Sequence, residues 1–363
     1  MKKSLTVIFL IFFLLTFICF PSNAESGSES VLKSIDSQTK DYLEELGVDS
    51  ENGEGIADVS LKGVFKFLFS LITDKTKRIS SVLVIVTAVI IVNAIFSSFI
   101  GDNTSAKTAM NYISVLCIVT AIIVPLKELI INTGAVIKTA AIFTDSYIPI
   151  LGAIIAASGN IKLAFTYNSF AIALSAFITE IADNFFIPVV NMLFTFNILT
   201  SFTFESYKHK IIKSVKRLII IILSLISTIY TGLLTTQSIL AVSSDSLTVR
   251  GIRFFSGTFI PVVGAGVSES VASVMSSLSV MKNTAGVIVI VVILLIFLPI
   301  IIELLIWYFA LQFCSIAADL FGNSEISETI EELSSVVSLI NIILFYITFV
   351  LIISTGIIIV SGK

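Results

Sequence analysis

Six carboxylates, Asp145, Glu180, Asp183, Glu269, Glu303 and Asp319, lie in or beside long apolar runs. Ionisable groups there are costly and are functional candidates by default. Glu303 is the most isolated, with 20 uncharged residues before it and 15 after it. The simplest use of such groups is a polar interior or hydrogen bonding between helices, and proton coupling is the second. The single histidine, His209, sits in the basic cluster Lys208-His209-Lys210 and reads as a solvated position. Cys19 falls in the N-terminal apolar segment, and Cys117 and Cys314 fall in apolar runs that suit a small buried hydrophobe. The sequence carries no phosphate-binding G-x-x-x-x-G-K-[ST], no H-E-x-x-H and no G-x-S-x-G. It also lacks the Gly-x-Gly-Asp context of an intramembrane aspartyl protease. The expectation is a protein that is not an enzyme and has no cofactor or metal centre.

The elements that position these groups follow from composition. Of 363 residues, 56% are hydrophobic and only 13% charged, against about a quarter charged in soluble domains. This is the composition of a membrane protein, and it lacks the concentrated basic surface of a nucleic-acid binder. Lys2 and Lys3, the apolar run Leu5 to Phe20, Pro21 and the small residues Ser22 and Ala24 predict a signal peptide over 1–24. Residues 25–60 hold ten acids against Lys33 and Lys40 and predict a flexible or weakly helical, solvated extracytoplasmic tail. Over 61–78, Leu61, Val64, Phe65, Phe67, Leu68, Leu71 and Ile72 form a stripe beside Lys62, Lys66, Lys75, Lys77 and Arg78, which predicts an amphipathic helix on the membrane surface. Uncharged runs then recur through 79–363, a multi-pass domain of about seven crossings with its last span over 337–360. Only helices satisfy the backbone of such continuous apolar runs in hydrocarbon, so the fold class is all-α and polytopic.

An internal repeat is visible when the chain is shifted by about 112 residues. Phe143-Thr-Asp-Ser-Tyr-Ile-Pro-Ile-Leu-Gly-Ala153 then meets Phe255-Ser-Gly-Thr-Phe-Ile-Pro-Val-Val-Gly-Ala265. The copies cover about 108–217 and 218–335. Pro149 with Gly152, and Pro261 with Gly264, Gly266 and Glu269, mark either kinked, closely packed helices or broken helices lining a polar passage. Asp145 and Glu303 are the candidate intramembrane polar residues. Another match sets Lys210, Lys213, Lys216 and Arg217 against Glu325, Glu328, Glu331 and Glu332, with every charge inverted. The basic copy marks a cytoplasmic segment by the positive-inside rule. The acidic copy then lies on the opposite side, or else on the same side with the two helices docked, within a subunit or between neighbours. Two unrelated solvated helices are the bland alternative.

The stretch Arg253-Phe-Phe-Ser-Gly-Thr-Phe-Ile-Pro-Val-Val-Gly264, with Ser268 and Lys282-Asn283 before Gly286, resembles the stage III sporulation protein AE family of endospore-forming bacteria. The resemblance covers essentially the whole chain. It implies a subunit of the complex joining mother cell and forespore, in the mother-cell-derived outer forespore membrane, with its N-terminal tail in the intermembrane space. The implied partners are other stage III A-complex proteins, among them ring-forming subunits and a secretion-type ATPase, together with a forespore-membrane partner and the lipid bilayer. No catalytic residue comes with the resemblance, and Asp145 stands where the second copy has Gly257, so no role transfers to it. The function expected is a channel subunit resembling an export apparatus. A secondary transporter using Glu303 or Glu269 and a non-conducting scaffold are the alternatives.

Overall fold

The computed structural model describes residues 28–51, 55, 59, 61–100, 104–200, 207–259 and 264–361. The signal-peptide segment and Pro261 lie outside the described residues. Two short helices, α1 (Ser28–Leu32) and α2 (Ser37–Glu45), precede six long apolar stretches. These are α3 (Leu61–Ile100), α4 (Thr104–Ala157), α5 (Ile161–Glu180) continued through a π turn into α6 (Ile187–Thr200), α7 (Tyr207–Phe259), α8 (Gly264–Leu320) and α9 (Ser324–Ser361). Among the described residues, six helices are long and apolar enough to cross a bilayer. The expected seven become six because the runs on either side of Asp183 form one line: the π turn Ile181–Phe186 carries the helix across them. That wide turn immediately precedes Pro188, whose ring has no N–H to offer the Asn184 carbonyl.

Successive helices alternate in direction. Asn93 bonds Asn111 across α3 and α4, and Ser175 bonds the Ala141 carbonyl across α4 and α5. Lys162 and Tyr230 tie α5 to α7 in antiparallel register, and Gln312 with Ser334 does the same for α8 and α9. Two of the reversals share one device. Gly159 and Gly322 close α4 and α8 in the left-handed region (φ +88° and +75°), and each is followed by an asparagine whose N–H returns to a carbonyl of the last helical turn. A side chain is strained at that φ, so glycine ends these helices.

The hydrophobic core is built around the α8–α9 hairpin. For α8, 94% of the most apolar stretch is buried inside the bundle, against 22% for α3 and for α7. A helix apolar on every side is a buried one, so α8 is the central rod and α3 and α7 present their apolar faces outward. Ile288 through Leu295 on α8 and Leu339, Ile340, Ile343 and Leu344 on α9 all belong to this one buried apolar cluster.

Two expectations are corrected. The acidic segment over 28–51 is a docked helical pair, because Val31, Leu32 and Leu43 are buried while Glu29, Lys33, Asp41 and Glu44 stay outside. The stretch 61–78 is the first half of the single helix α3, with no break before the span at Ile79. Of its stripe, Val64, Phe67 and Leu71 are buried against protein, whereas Phe65 and Ile72 face outward.

Candidate functional site

Glu303 is placed on α8 by the run that buries the helix, and its side chain is 8% exposed. Lys75 of α3 reaches it with Nζ 2.7 Å from Oε2. This lysine, expected on the solvated face of a surface helix, therefore supplies the counter-charge that lets a carboxylate sit among Ile300, Ile301 and Leu304. Pro299 lies one turn earlier on the same face of α8 and lacks an N–H, so the Leu295 carbonyl has no intrahelical donor. Leu295, Pro299 and Glu303 thus share one stripe of α8.

That stripe lines a chamber of about 290 Å³. Asn132 and Thr139 of α4 form the facing wall, and Asp36, Gln38, Thr39 and Tyr42 at the start of α2 form the roof. The roof is fixed locally. Asp36 caps α2 by accepting from the Thr39 N–H at 3.2 Å and the Thr39 hydroxyl at 2.7 Å, and Gln38 donates to the Tyr42 hydroxyl at 2.8 Å. Outside the chamber, Lys33 at 2.7 Å holds the exposed Glu29 carboxyl below its ordinary value and is itself raised, through their hydrogen bond and charge attraction.

Three other polar groupings join helices. Asn93, Asn111 and Glu325 form a chain from α3 through α4 to α9, with Asn93 Nδ2 3.0 Å from Asn111 and Asn111 Nδ2 2.5 Å from Glu325. Asp245 of α7 accepts from the backbone N–H groups of Lys162 and Leu163 at 3.1 and 3.0 Å, capping α5 from a neighbouring helix. Where α4, α5, α7 and α9 meet, the Tyr147 hydroxyl lies among Thr144, Tyr167 and Thr355, and Tyr230 pairs with Ser354 at 2.9 Å. A separate groove of about 330 Å³ between α5, α7 and α9 is lined almost wholly by apolar side chains.

The residues singled out by sequence fall as follows. Pro149 is exposed inside the continuous helix α4, so a broken or re-entrant helix at this position is corrected. Gly152, one turn on, is buried, and a Cβ there would collide with the Asn168 amide of α5, which makes it a helix-packing residue. Gly264, Gly266 and Glu269 lie in the first turns of α8, and Lys210 in the first turn of α7. Asp145 is exposed on α4. The charge-inverted helices run parallel: Lys216 with the Ser335 carbonyl, Ser224 with Tyr346, and Tyr230 with Ser354 advance together along α7 and α9. Their charged N-terminal ends therefore share one end of the bundle. Lys216 and Glu332 are buried, Glu325 is half-buried, and Lys213, Arg217, Glu328 and Glu331 are exposed. The placement of these two ends on opposite sides is thereby corrected. Sequence reasoning passed over Lys75, Asp245 and the asparagine pair. Asp245 and the asparagines were signalled only as polar residues in or beside apolar runs, and Lys75 was hidden in a cluster of basic residues.

Six alternating apolar helices among the described residues, gathered around the largely buried α8–α9 hairpin, define a polytopic helical membrane protein. The family model for stage III sporulation protein AE matches residues 37–362, and the chain belongs to that family. Over 229 residues it is 26% identical to "Stage III sporulation protein AE" of Bacillus subtilis (strain 168). That match covers 62% of this chain and 56% of the relative, so it spans little more than half of the relative's length. No solved structure matches the chain. Membership implies a role in sporulation and brings no enzymatic activity with it.

Proposed function

We propose that this chain is a membrane subunit of the channel complex between mother cell and forespore, and that it forms or seats the channel in the manner of an export-apparatus component. The observation that carries the reading is the family match over 37–362. On this reading the protein lies in the outer forespore membrane with its N-terminal segment in the intermembrane space. It works there with the ring-forming stage III A proteins, the secretion-type ATPase and a forespore-membrane partner.

The exposed charges Lys213, Arg217, Glu328 and Glu331, gathered at one end of α7 and α9, are the surface on which assembly is expected to depend. Reversing Glu328 and Glu331 to lysine should block recovery of the complex by affinity purification and lower spore yield by at least tenfold. Normal assembly and sporulation in that variant would remove the docking role. The Lys75–Glu303 chamber supports a second reading, a transporter that uses Glu303. Purified protein that moves a solute without partners would favour it, and full sporulation with Glu303→Gln would count heavily against it.

A further inference from the structure

Lys213 and Arg217 on α7 and Glu328 and Glu331 on α9 are exposed at one end of the bundle, and no ion pair among the described residues holds any of them. The other charges described at these two helix ends are already placed. Lys216 is buried and donates to the Ser335 carbonyl, Glu325 accepts from Asn111, and Glu332 is buried. Because Lys216 meets Ser335, the two exposed bases flank that contact within one turn of α7, and the two exposed acids precede it by one and two turns of α9. Two positive and two negative charges therefore lie on adjacent helices within about 12 Å of one another along the axis, at 1.5 Å per residue.

Copies of one chain enter a membrane in one orientation, so a symmetry axis relating them runs along the bilayer normal and keeps every residue at its own height. Only groups of matching height can then pair between copies, and the parallel packing of α7 and α9 provides that match. A two-fold, the commonest symmetry of homo-oligomers, brings one patch onto its own copy. With the axis between α7 and α9, the bases of each copy face the acids of the other. An anionic lipid headgroup would satisfy the bases and be repelled by the acids, and a partner surface of either single sign would leave half of the patch unpaired.

We propose that this patch is the contact of a two-fold homodimer, in which Lys213 and Arg217 of each copy pair with Glu328 and Glu331 of the other. Exposed ion pairs are individually weak and screened by salt, so the charges set register and specificity. The exposed Leu218, Ile221 and Leu225, next along α7, extend the contact into the hydrocarbon. A second copy is thereby the partner of the assembly surface; the use of that contact in sporulation rests on the channel-subunit reading, whereas the dimer itself does not.

The test co-expresses two differently tagged copies of the full chain in a host that makes no other sporulation protein, captures them in mild detergent through one tag, and measures the mass of the eluted complex by light scattering. Wild-type copies should co-purify as a dimer. Lys213→Glu/Arg217→Glu makes the patch wholly acidic and Glu328→Lys/Glu331→Lys makes it wholly basic, and each variant should lose self-association about tenfold. Expressed together, the two variants should pair again to within about twofold of the wild type, since opposite charges then face each other at every position. Should either reversal variant not fold, Lys213→Gln/Arg217→Gln and Glu328→Gln/Glu331→Gln take their place, with an expected loss of about threefold each. A monomeric wild type, folded variants that self-associate as the wild type does, or folded reversal variants that fail to pair with each other would each overturn the proposal. A monomeric wild type whose Glu328→Lys/Glu331→Lys variant still fails to enter the complex in sporulating cells removes the dimer alone. A dimer whose disruption leaves complex recovery and spore yield unchanged supports the dimer and removes only the assembly role.

Discussion

Lys75 and Glu303 are unequal partners, and the inequality is measurable. Removing the lysine strands a carboxylate that is 8% exposed, whereas removing the carboxylate strands a lysine that is 31% exposed and can turn toward water. Lys75→Met is therefore expected to destabilise the protein more than Glu303→Gln, by roughly 3 kcal/mol against roughly 1. The double replacement Lys75→Met/Glu303→Leu should recover most of that loss, since two apolar groups need no mutual compensation. Thermal unfolding in detergent at matched protein concentration checks the order of the three variants. The sequence displayed Glu303 plainly, because a lone acid among 35 uncharged neighbours stands out. It did not display Lys75, which belongs to a cluster of lysines on α3, of which only a fold can select one.

Helix ends and helix crossings carry the next scale. Asp245→Ala removes the carboxylate that satisfies the first N–H groups of α5, and the expected cost is about 1 kcal/mol, as for other lost N-caps. Faster amide exchange at residues 162–164 is the specific sign, with Asp245→Asn close to wild type. At the α4–α5 crossing, Gly152→Ala drives a methyl into the Asn168 amide and should cost roughly 1–3 kcal/mol. Gly232→Ala on α7 meets nothing within 4 Å and should be neutral or stabilising by up to about 1 kcal/mol, because glycine is a poor helix residue. Melting temperatures of the two variants, side by side, separate packing from propensity. The Pro149 segment is instructive at the same scale. Its proline sits on an exposed face of a 54-residue helix, so α4 continues through a residue that costs an isolated helix a hydrogen bond and a clash.

For the whole molecule, the parallel packing of α7 and α9 sets the sidedness. Cysteines introduced at Lys213 and Glu328 are both exposed and are expected to react with a membrane-impermeant maleimide from the same side of oriented vesicles. Labelling from opposite sides would contradict the parallel register. Helices of 53 to 57 residues are about 80 Å long at 1.5 Å per residue, well over the ~30 Å hydrocarbon core. A tilt within the usual range of ~0–40° does not absorb that difference, so part of the bundle stands outside the hydrocarbon. The sequence by itself determined the class, a helical polytopic membrane protein. Uninterrupted apolar runs leave the backbone no partner but its own helix, and a central helix apolar on every side must be buried. It also marked Glu303, because a charge in such a run is conspicuous. Only the tertiary structure decided the partners: which lysine meets Glu303, which carboxylate caps α5, and that the oppositely charged ends of α7 and α9 lie together. Those choices depend on the direction and register of helices far apart in the chain, and apolar periodicity fixes neither.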